Sequence, residues 1–452
     1  ICYNSIVKSI LFKFCIFNII VLMSLAPSLA ESSMKFSDRI EEYVLANGLK
    51  VILIEDKRSP AIVSSIWYNV GSSYEYPGIS GISHVLEHMM FKGTKNTQPG
   101  DFSKRIKEVG GSENAFTGRD FTGYYQKIHK DYLELSLKLE SDRMSNILFS
   151  EEEFRKEVEV VKEERRLRTD DKPISKIFEK IGLQAFGMKN YGIPIIGTMD
   201  DLNNIKVSDL KKWYANYYVP NNATLILAGN FESNNAKSLI KKYYGNYSKQ
   251  KVINYSKVNE HEISFDEITV KDKVSQPIVL LSFKKKSFSI EDKKELYAME
   301  LLLELMDGGL SSRFTKNLID DNKIALNTFI SYDSYSRKDS LVTLGGSPRI
   351  GVQPEDLRTA FINEFSIFIK NGLKKNELLN TKSRLLANNI YEFDSVFYQA
   401  MQVGMLETKN LDWRLLDEYV DDIDSITEKD LINAAKKIIS SDYIYSLIEP
   451  AT

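Results

Sequence analysis

Two stretches of this chain, far apart in sequence, read alike. In the first, the strand pattern Tyr43-Val44-Leu45 leads through the turn pair Asn47-Gly48 into a strand at Lys50–Ile54. A further strand at residues 61–70 and a helical apolar period over 78–93 follow. In the second stretch, strands at Glu267–Val270 and Pro277–Phe283 lead into a helix from Glu291 to Met306. Strands followed by runs of helices, used twice, constrain the chain to an α+β fold of two halves, each of about 210 residues. The halves are expected over 35–245 and 266–450. The polar stretch 246–265, with few large aliphatics in register, reads as a linker. Within the first half, helical periods fall at 101–109, 130–147, 151–170, 174–187 and 207–218, and short strands at 112–117, 122–128 and 223–229.

Composition narrows the function. The chain has 452 residues, 43% apolar and 27% charged, which is globular and too long for one ordinary core. A net charge of −2 argues against a dedicated nucleic-acid binder. Both cysteines, Cys2 and Cys15, lie in residues 1–30, a segment that reads as a signal peptide. Lys8 and Lys13 open it, the apolar run Phe14–Ala26 follows, and Pro27-Ser28-Leu29-Ala30 supplies small residues for cleavage. That run is shorter than the roughly 20 residues a spanning helix needs. The expectation is export across the inner membrane to the periplasm, with no stable membrane span after leader removal. The alternative is anchoring by an uncleaved leader. Removal leaves no cysteine, which excludes a disulfide scaffold and a cysteine-rich zinc module.

Of four histidines, two stand four apart in His84-Val85-Leu86-Glu87-His88. The surrounding segment, Ile82 to Phe91, is apolar nearly all round, so its helix is expected to be buried. At about 100° per residue both imidazoles project from one face with Glu87 beside them. Two such imidazoles can bind one Zn²⁺, and Glu87 can take a proton from a water there. A core helix with two satisfied histidines is the plainer alternative. His129 and His261 read as surface and linker residues.

A third ligand is sought on the helix at 151–170, which Ser150 and Glu153 start as a capping box. On a helical wheel, Phe154, Val158, Val160, Val161 and Leu167 form the apolar side, and Glu157 and Glu164 fall inside it. Glu159 and Glu163 fall towards solvent. Two carboxylates stacked on an apolar stripe ask for a cation. Glu164 is taken as the ligand and Glu157 as its outer support, although geometry alone permits the reverse.

These residues carry a resemblance to the pitrilysin/insulinase family of zinc peptidases, the inverzincins, whose His-x-x-Glu-His reverses the zincin order. The family's metal motif matches His84, Glu87 and His88, its distal glutamate falls on Glu164, and a further one falls on Glu157. Phe91-Lys92-Gly93-Thr94, the run Gly110–Thr117 and Gly308-Gly309-Leu310-Ser311-Ser312-Arg313 also match family signatures. The resemblance covers nearly the whole chain after the leader. Chains of this length resemble the bacterial two-domain members and the mitochondrial processing peptidase β subunit.

The resemblance implies two homologous domains, each an antiparallel sheet covered by helices. It implies one zinc ion per chain on His84, His88 and Glu164, with Glu87 activating a zinc-bound water against unfolded peptides. Glu157 would orient a ligand histidine, and Asn114 and Ala115 would line the substrate cleft. Independently, Ser112–Thr117 reads either as an edge strand able to pair with a peptide or as an ordinary strand after the turn at Gly110-Gly111. One departure stands out. Family members that act alone carry an Arg and a Tyr in the second half, and the matching positions here are Ile319 and Leu326. The expectation is a heterodimer in which this chain holds zinc and a homologous non-zinc partner supplies the Arg/Tyr pair. The rival is a non-catalytic assembly or peptide-binding subunit that retains zinc.

Overall fold

The structure, a computed structural model, describes residues 35–253 and 263–451. The expected leader with Cys2 and Cys15, and His261 of the expected linker, lie outside the described residues. From Ile40 onwards the chain forms one compact unit. The described residues before it carry a short 3₁₀ turn, Phe36–Arg39.

Two sheets organise that unit. The first contains β1 (Ile40–Val44), β2 (Lys50–Glu55), β3 (Ala61–Tyr68), β4 (Ser112–Thr117), β5 (Thr122–His129) and β6 (Ala223–Gly229) in the order β1-β2-β6-β3-β5-β4. The second contains β7 (Ile268–Asp272), β8 (Ile278–Lys285), β9 (Ala325–Ser331), β10 (Ser340–Pro348) and β11 (Tyr443–Pro450) in the order β7-β11-β8-β10-β9. With β1 set aside, the two orders are the same, so the halves share one topology. The sheets are mixed, which corrects the antiparallel expectation: β2 runs parallel to β6, and β7 to β11. In each half the last strand returns only after a long helical crossover, the connection a parallel neighbour requires.

The duplication extends to single residues. In the first half Phe116 on edge strand β4 faces Gly123 on β5, and its ring fills the space a Cβ there would occupy. In the second half Phe329 on edge strand β9 faces Gly345 on β10 in the same way. An aromatic ring laid over a glycine restores the apolar cover the missing side chain would give.

The halves also exchange helices. Helix Pro173–Phe186 leaves the first half and buries Ile177, Ile181 and Ala185 against Leu280, Ile444 and Ile448 of the second sheet. Helix Val396–Thr408 of the second half lies on β3 and β6 of the first. Gly404 is essential to that fit, because a Cβ there would sit 2.1 Å from the Trp67 indole. No helix among the described residues is long and apolar enough to cross a membrane.

Candidate metal centre

The histidine helix spans Ile82–Met89, shorter at both ends than the periodicity predicts. Its start is set by backbone. Gly81 has φ +87° and Gly197, on a neighbouring loop, φ +82°; a Cβ on either would strike the backbone beside the other. The loops therefore touch through two glycines, which alone tolerate that approach and that conformation. The buried Glu75 carboxyl group accepts the Gly81 and Ser83 N–H groups at 2.6 and 2.9 Å, satisfying backbone donors at the start of the helix. Burial pushes this carboxyl up to about 8 in spite of those bonds.

The carboxylate helix spans Glu151–Arg165 and starts at Ser150, whose Oγ accepts the Glu153 N–H. Its inner stripe buries Phe154, Glu157, Val158 and Val161, while Glu159 and Glu163 face solvent. Val160 and Leu167, placed on the apolar side by the wheel, are instead 49% and 57% exposed. Val160 lies at the margin of the stripe. Leu167 lies beyond the α-helix, where residues 166–170 open into a wider π turn and the 100° step no longer holds. Arg165 registers the two helices: its guanidinium donates to the Gly197 carbonyl at 2.6 Å and pairs with Glu179.

This scaffold brings His84, His88 and Glu164 together, with one ligand atom of each within 4.8 Å of the others. Glu164 Oε2 lies 3.7 Å from His84 Nε2 and 3.5 Å from His88 Nε2. Ligands at 2.0–2.1 Å around a tetrahedral Zn²⁺ are separated by about 3.3 Å, so the observed spacing is close to that of such a site. The donor set of two imidazoles and a carboxylate is a zinc set that keeps a fourth position open. Among the described residues it is the one group of three or more metal-capable side chains drawn together in this way.

Surrounding residues set the chemical state of each group. Glu157 Oε2 lies 3.1 Å from His88 Nδ1. The carboxylate can only accept, so that nitrogen carries the proton and Nε2 presents its lone pair towards Glu164. Lys92 Nζ holds the other oxygen of Glu157 at 2.7 Å. Burial opposes ionisation of Glu157, but His88 and Lys92 outweigh it and hold the carboxyl below its usual range. Burial, with His88 and Arg168 close by, pushes His84 down to about 3, so its imidazole is neutral. Glu87 accepts a hydrogen bond from Thr117 Oγ at 2.6 Å, and burial raises its carboxyl in spite of that bond.

The group opens on a cavity of about 790 Å³ bordered by His84, Glu87, His88 and Glu164, with Asn114 and Ala115 in its wall. Strand β4, which carries the latter two, is the terminal strand of its sheet. Sequence reasoning missed Thr117, Lys92, Arg168 and Glu75. Two of them had a signal in helical spacing: Arg168 stands four residues after Glu164 and holds its Oε1 at 2.6 Å, and Lys92 stands four after His88.

Comparison with known proteins agrees with this architecture. Residues 50–199 match the family described as Insulinase (Peptidase family M16), and residues 204–385 match Peptidase M16 inactive domain. The zinc protease PqqE of Helicobacter pylori is 32% identical over 82% of this chain and 84% of its own length. The crystal structure of a protease from Helicobacter pylori superposes with a TM-score of 0.84 at 28% identity, covering 91% of this chain and 99% of that one. The periplasmic protease PqqL from Escherichia coli, at 18% identity, shares the fold with a TM-score of 0.77 over 92% of this chain but only 48% of its own. With a metal-capable His-x-x-Glu-His helix, a duplicated mixed-sheet fold and these matches across both halves, the chain belongs to the insulinase (M16) family of peptidases.

Proposed function

We propose that this chain is a zinc-dependent endopeptidase that hydrolyses unfolded peptides. The observation that carries the reading is the convergence of His84, His88 and Glu164 beside Glu87 at the wall of a cavity closed on one side by an edge strand. His84 and His88 would hold the ion through Nε2, and Glu164 through Oε2. Zinc, when bound, polarises a scissile carbonyl and acidifies a water. Glu87 takes the proton released in the attack and returns it to the leaving amine. Its raised carboxyl suits both transfers, since a base poised nearer neutrality also serves as the following acid. Thr117 fixes the carboxylate's orientation, and Glu157 fixes the tautomer of His88. A peptide would lie extended along β4, with Asn114 and Ala115 against its backbone.

Residues 35–245 would carry the chemistry and residues 266–450 the opposing wall, with one ion per chain. The second half cannot supply the Arg/Tyr pair of members that act alone. Ile319 and Leu326 stand there, and Leu326 is 54% exposed on edge strand β9. A homologous non-zinc subunit would supply those groups, making this chain the catalytic half of a heterodimer. The fold likeness to about half of a longer chain supports an enclosure built from two such units. A periplasmic location fits an exported chain whose described helices include no membrane span.

The test measures zinc content and peptide cleavage, alone and with the co-purified partner. One tightly held zinc, cleavage abolished by chelation and restored by zinc is the expected result. Glu87→Gln should lower turnover by about 10²–10⁴-fold with zinc retained. If Glu87→Gln leaves function intact, the chain is a zinc-retaining assembly or peptide-binding subunit instead.

A further inference from the structure

The wall of the metal cavity holds a cation that the chemistry above does not use. Arg119 lines this cavity and also a second one, of about 440 Å³, that continues towards Asp333 and Lys409 of the other half. It therefore stands at the junction of the two.

Its backbone is firmly held. Arg119 sits in the turn joining β4 to β5, where Ser72 N–H donates to the Gly118 carbonyl at 3.1 Å and Ser73 N–H to the Arg119 carbonyl at 2.8 Å. Gly71 permits this approach, since a Cβ there would lie 2.3 Å from the Gly118 carbonyl oxygen. The next residue, Asp120, is anchored by Ser73 Oγ at 3.0 Å, by the Tyr191 hydroxyl and by Arg337 Nε at 2.9 Å.

Its guanidinium, by contrast, has no acid. Of the arginine and lysine side chains, Arg119, Arg168 and Lys409 line the two cavities. Arg168 is paired with Glu164 and Lys409 with Asp333. Among the described residues Arg119 has no carboxylate within 4 Å; its Cζ lies over the Tyr191 ring, 5.2 Å from the ring centre. The acids nearest in charge, Asp120 and Asp333, are committed to Arg337 and Lys409. The side chain is exposed to the cavity, and a guanidinium does not give up its proton. A permanent cation exposed in a cavity wall without an acid of its own is a site for an anion, and its planar fork matches a carboxylate.

The position relative to the chemistry fixes which carboxylate. Thr117, the last residue of the edge strand, touches Glu87, and Arg119 follows two residues later in the turn at the end of that strand. An extended peptide advances about 3.3 Å per residue. Resting on the peptidase reading, we propose that Arg119 is a specificity residue that binds a carboxylate of the peptide substrate within about two residues of the bond to be cut. The carboxylate comes from an acidic side chain or from the peptide's own C-terminus. A bidentate, charge-assisted contact of this kind gives at least about tenfold discrimination over the neutral isostere.

The test uses the zinc-loaded full chain carrying Glu87→Gln, so that peptides bind without being cut. The probes are fluorescein-labelled unfolded decapeptides with one Glu moved through each position, each with a Gln twin and each with a free or amidated C-terminus. Anisotropy should show the Glu peptide binding about tenfold or more tighter than its Gln twin at one or two adjacent positions. Arg119→Gln should erase that preference, and Arg119→Lys should restore part of it, while the neutral twins change less than about twofold. A preference confined to free over amidated termini, lost in the same variant, assigns the site to the terminal carboxylate. No acid preference in the parent, a preference that survives Arg119→Gln, or no binding at all overturns the proposal. Failure of the peptidase reading appears elsewhere, as absent zinc or absent cleavage in the unsubstituted chain, and leaves the acid-to-amide comparison unaffected.

Discussion

The two halves build the same sheet and then fill one helix contact in opposite ways. In the first, the helix after β3 meets the carboxylate helix Glu151–Arg165, and His84 and His88 face Glu164 across the gap. In the second, helix Lys293–Asp307 after β8 meets helix Glu377–Phe393, and Glu304 faces Arg384 at 2.7 Å. Another inward acid, Glu300, accepts the Tyr419 hydroxyl at 2.6 Å, and burial raises its carboxyl. In the first contact Arg168 holds only Oε1 of Glu164, and Oε2 with two imidazole nitrogens leaves a cation to be supplied between them. The second supplies its own cation from Arg384 and is closed to a metal. One topology thus holds a reactive centre and a structural ion pair, and the difference lies in a few side chains rather than in the fold.

The largest expected effect breaks that contrast directly. Glu164→Gln should release zinc and cut peptide hydrolysis by about 10³-fold or more, because two imidazoles alone hold Zn²⁺ poorly. Glu304→Gln in the equivalent contact should leave zinc content unchanged, and Glu163→Gln on the solvent face should do the same. Elemental analysis after dialysis against a chelator separates the three. Zinc lost from Glu163→Gln and kept in Glu164→Gln would show that the assignment of faces is reversed.

A smaller effect concerns support rather than ligation. Glu157 touches His88 and Lys92, and no carboxylate stands in that place for His84, whose Nδ1 is buried without a hydrogen-bond partner among the described residues. The two ligand histidines are thus unequally held. Glu157→Gln keeps the packing but weakens the hold on His88, and zinc affinity should fall about 10–100-fold, as measured by competition with a chromophoric chelator. An unchanged affinity would mean that Lys92 and packing alone orient the ring.

How much of this was legible in the sequence follows from the range of each interaction. The histidine helix and the inward direction of Glu157 and Glu164 are local matters of helical period, and both were readable. The parallel pairs β2–β6 and β7–β11 were not, because they join strands separated by a helical crossover and leave no local trace. The same holds for Arg119. A cation acquires meaning only when the acids around it are seen to be committed elsewhere, and its neighbours Asp333 and Lys409 come from the other half. Leu167 was misplaced because a wheel assumes a regular helix up to the residue in question, and here the helix widens first. The exchange of helices between halves was likewise invisible, since an apolar stripe does not say which sheet it will cover.

The exchanged helices supply the finest comparison, because each carries an interior glycine in a different setting. Gly404 presses its Cα face onto Trp67, and any Cβ would lie 2.1 Å from the indole. Trp67 cannot yield, being buried and held edge-on by Phe116 and Phe121 at 4.9 and 5.2 Å. Gly404→Ala should therefore destabilise the chain by about 1–3 kcal/mol, the usual range for overpacking a filled core. Gly182, on the reciprocal helix, meets nothing nearer than the Tyr191 carbonyl oxygen at 3.7 Å, an ordinary contact. Gly182→Ala removes freedom from the unfolded chain without strain and should stabilise by about 0.4–1 kcal/mol. Chemical denaturation of the two variants beside the parent reads both signs. Equal and opposite outcomes are not required, but a neutral Gly404→Ala would mean that helix Val396–Thr408 can lift from the first sheet, and the two halves would then be held together less by close packing than the exchange implies.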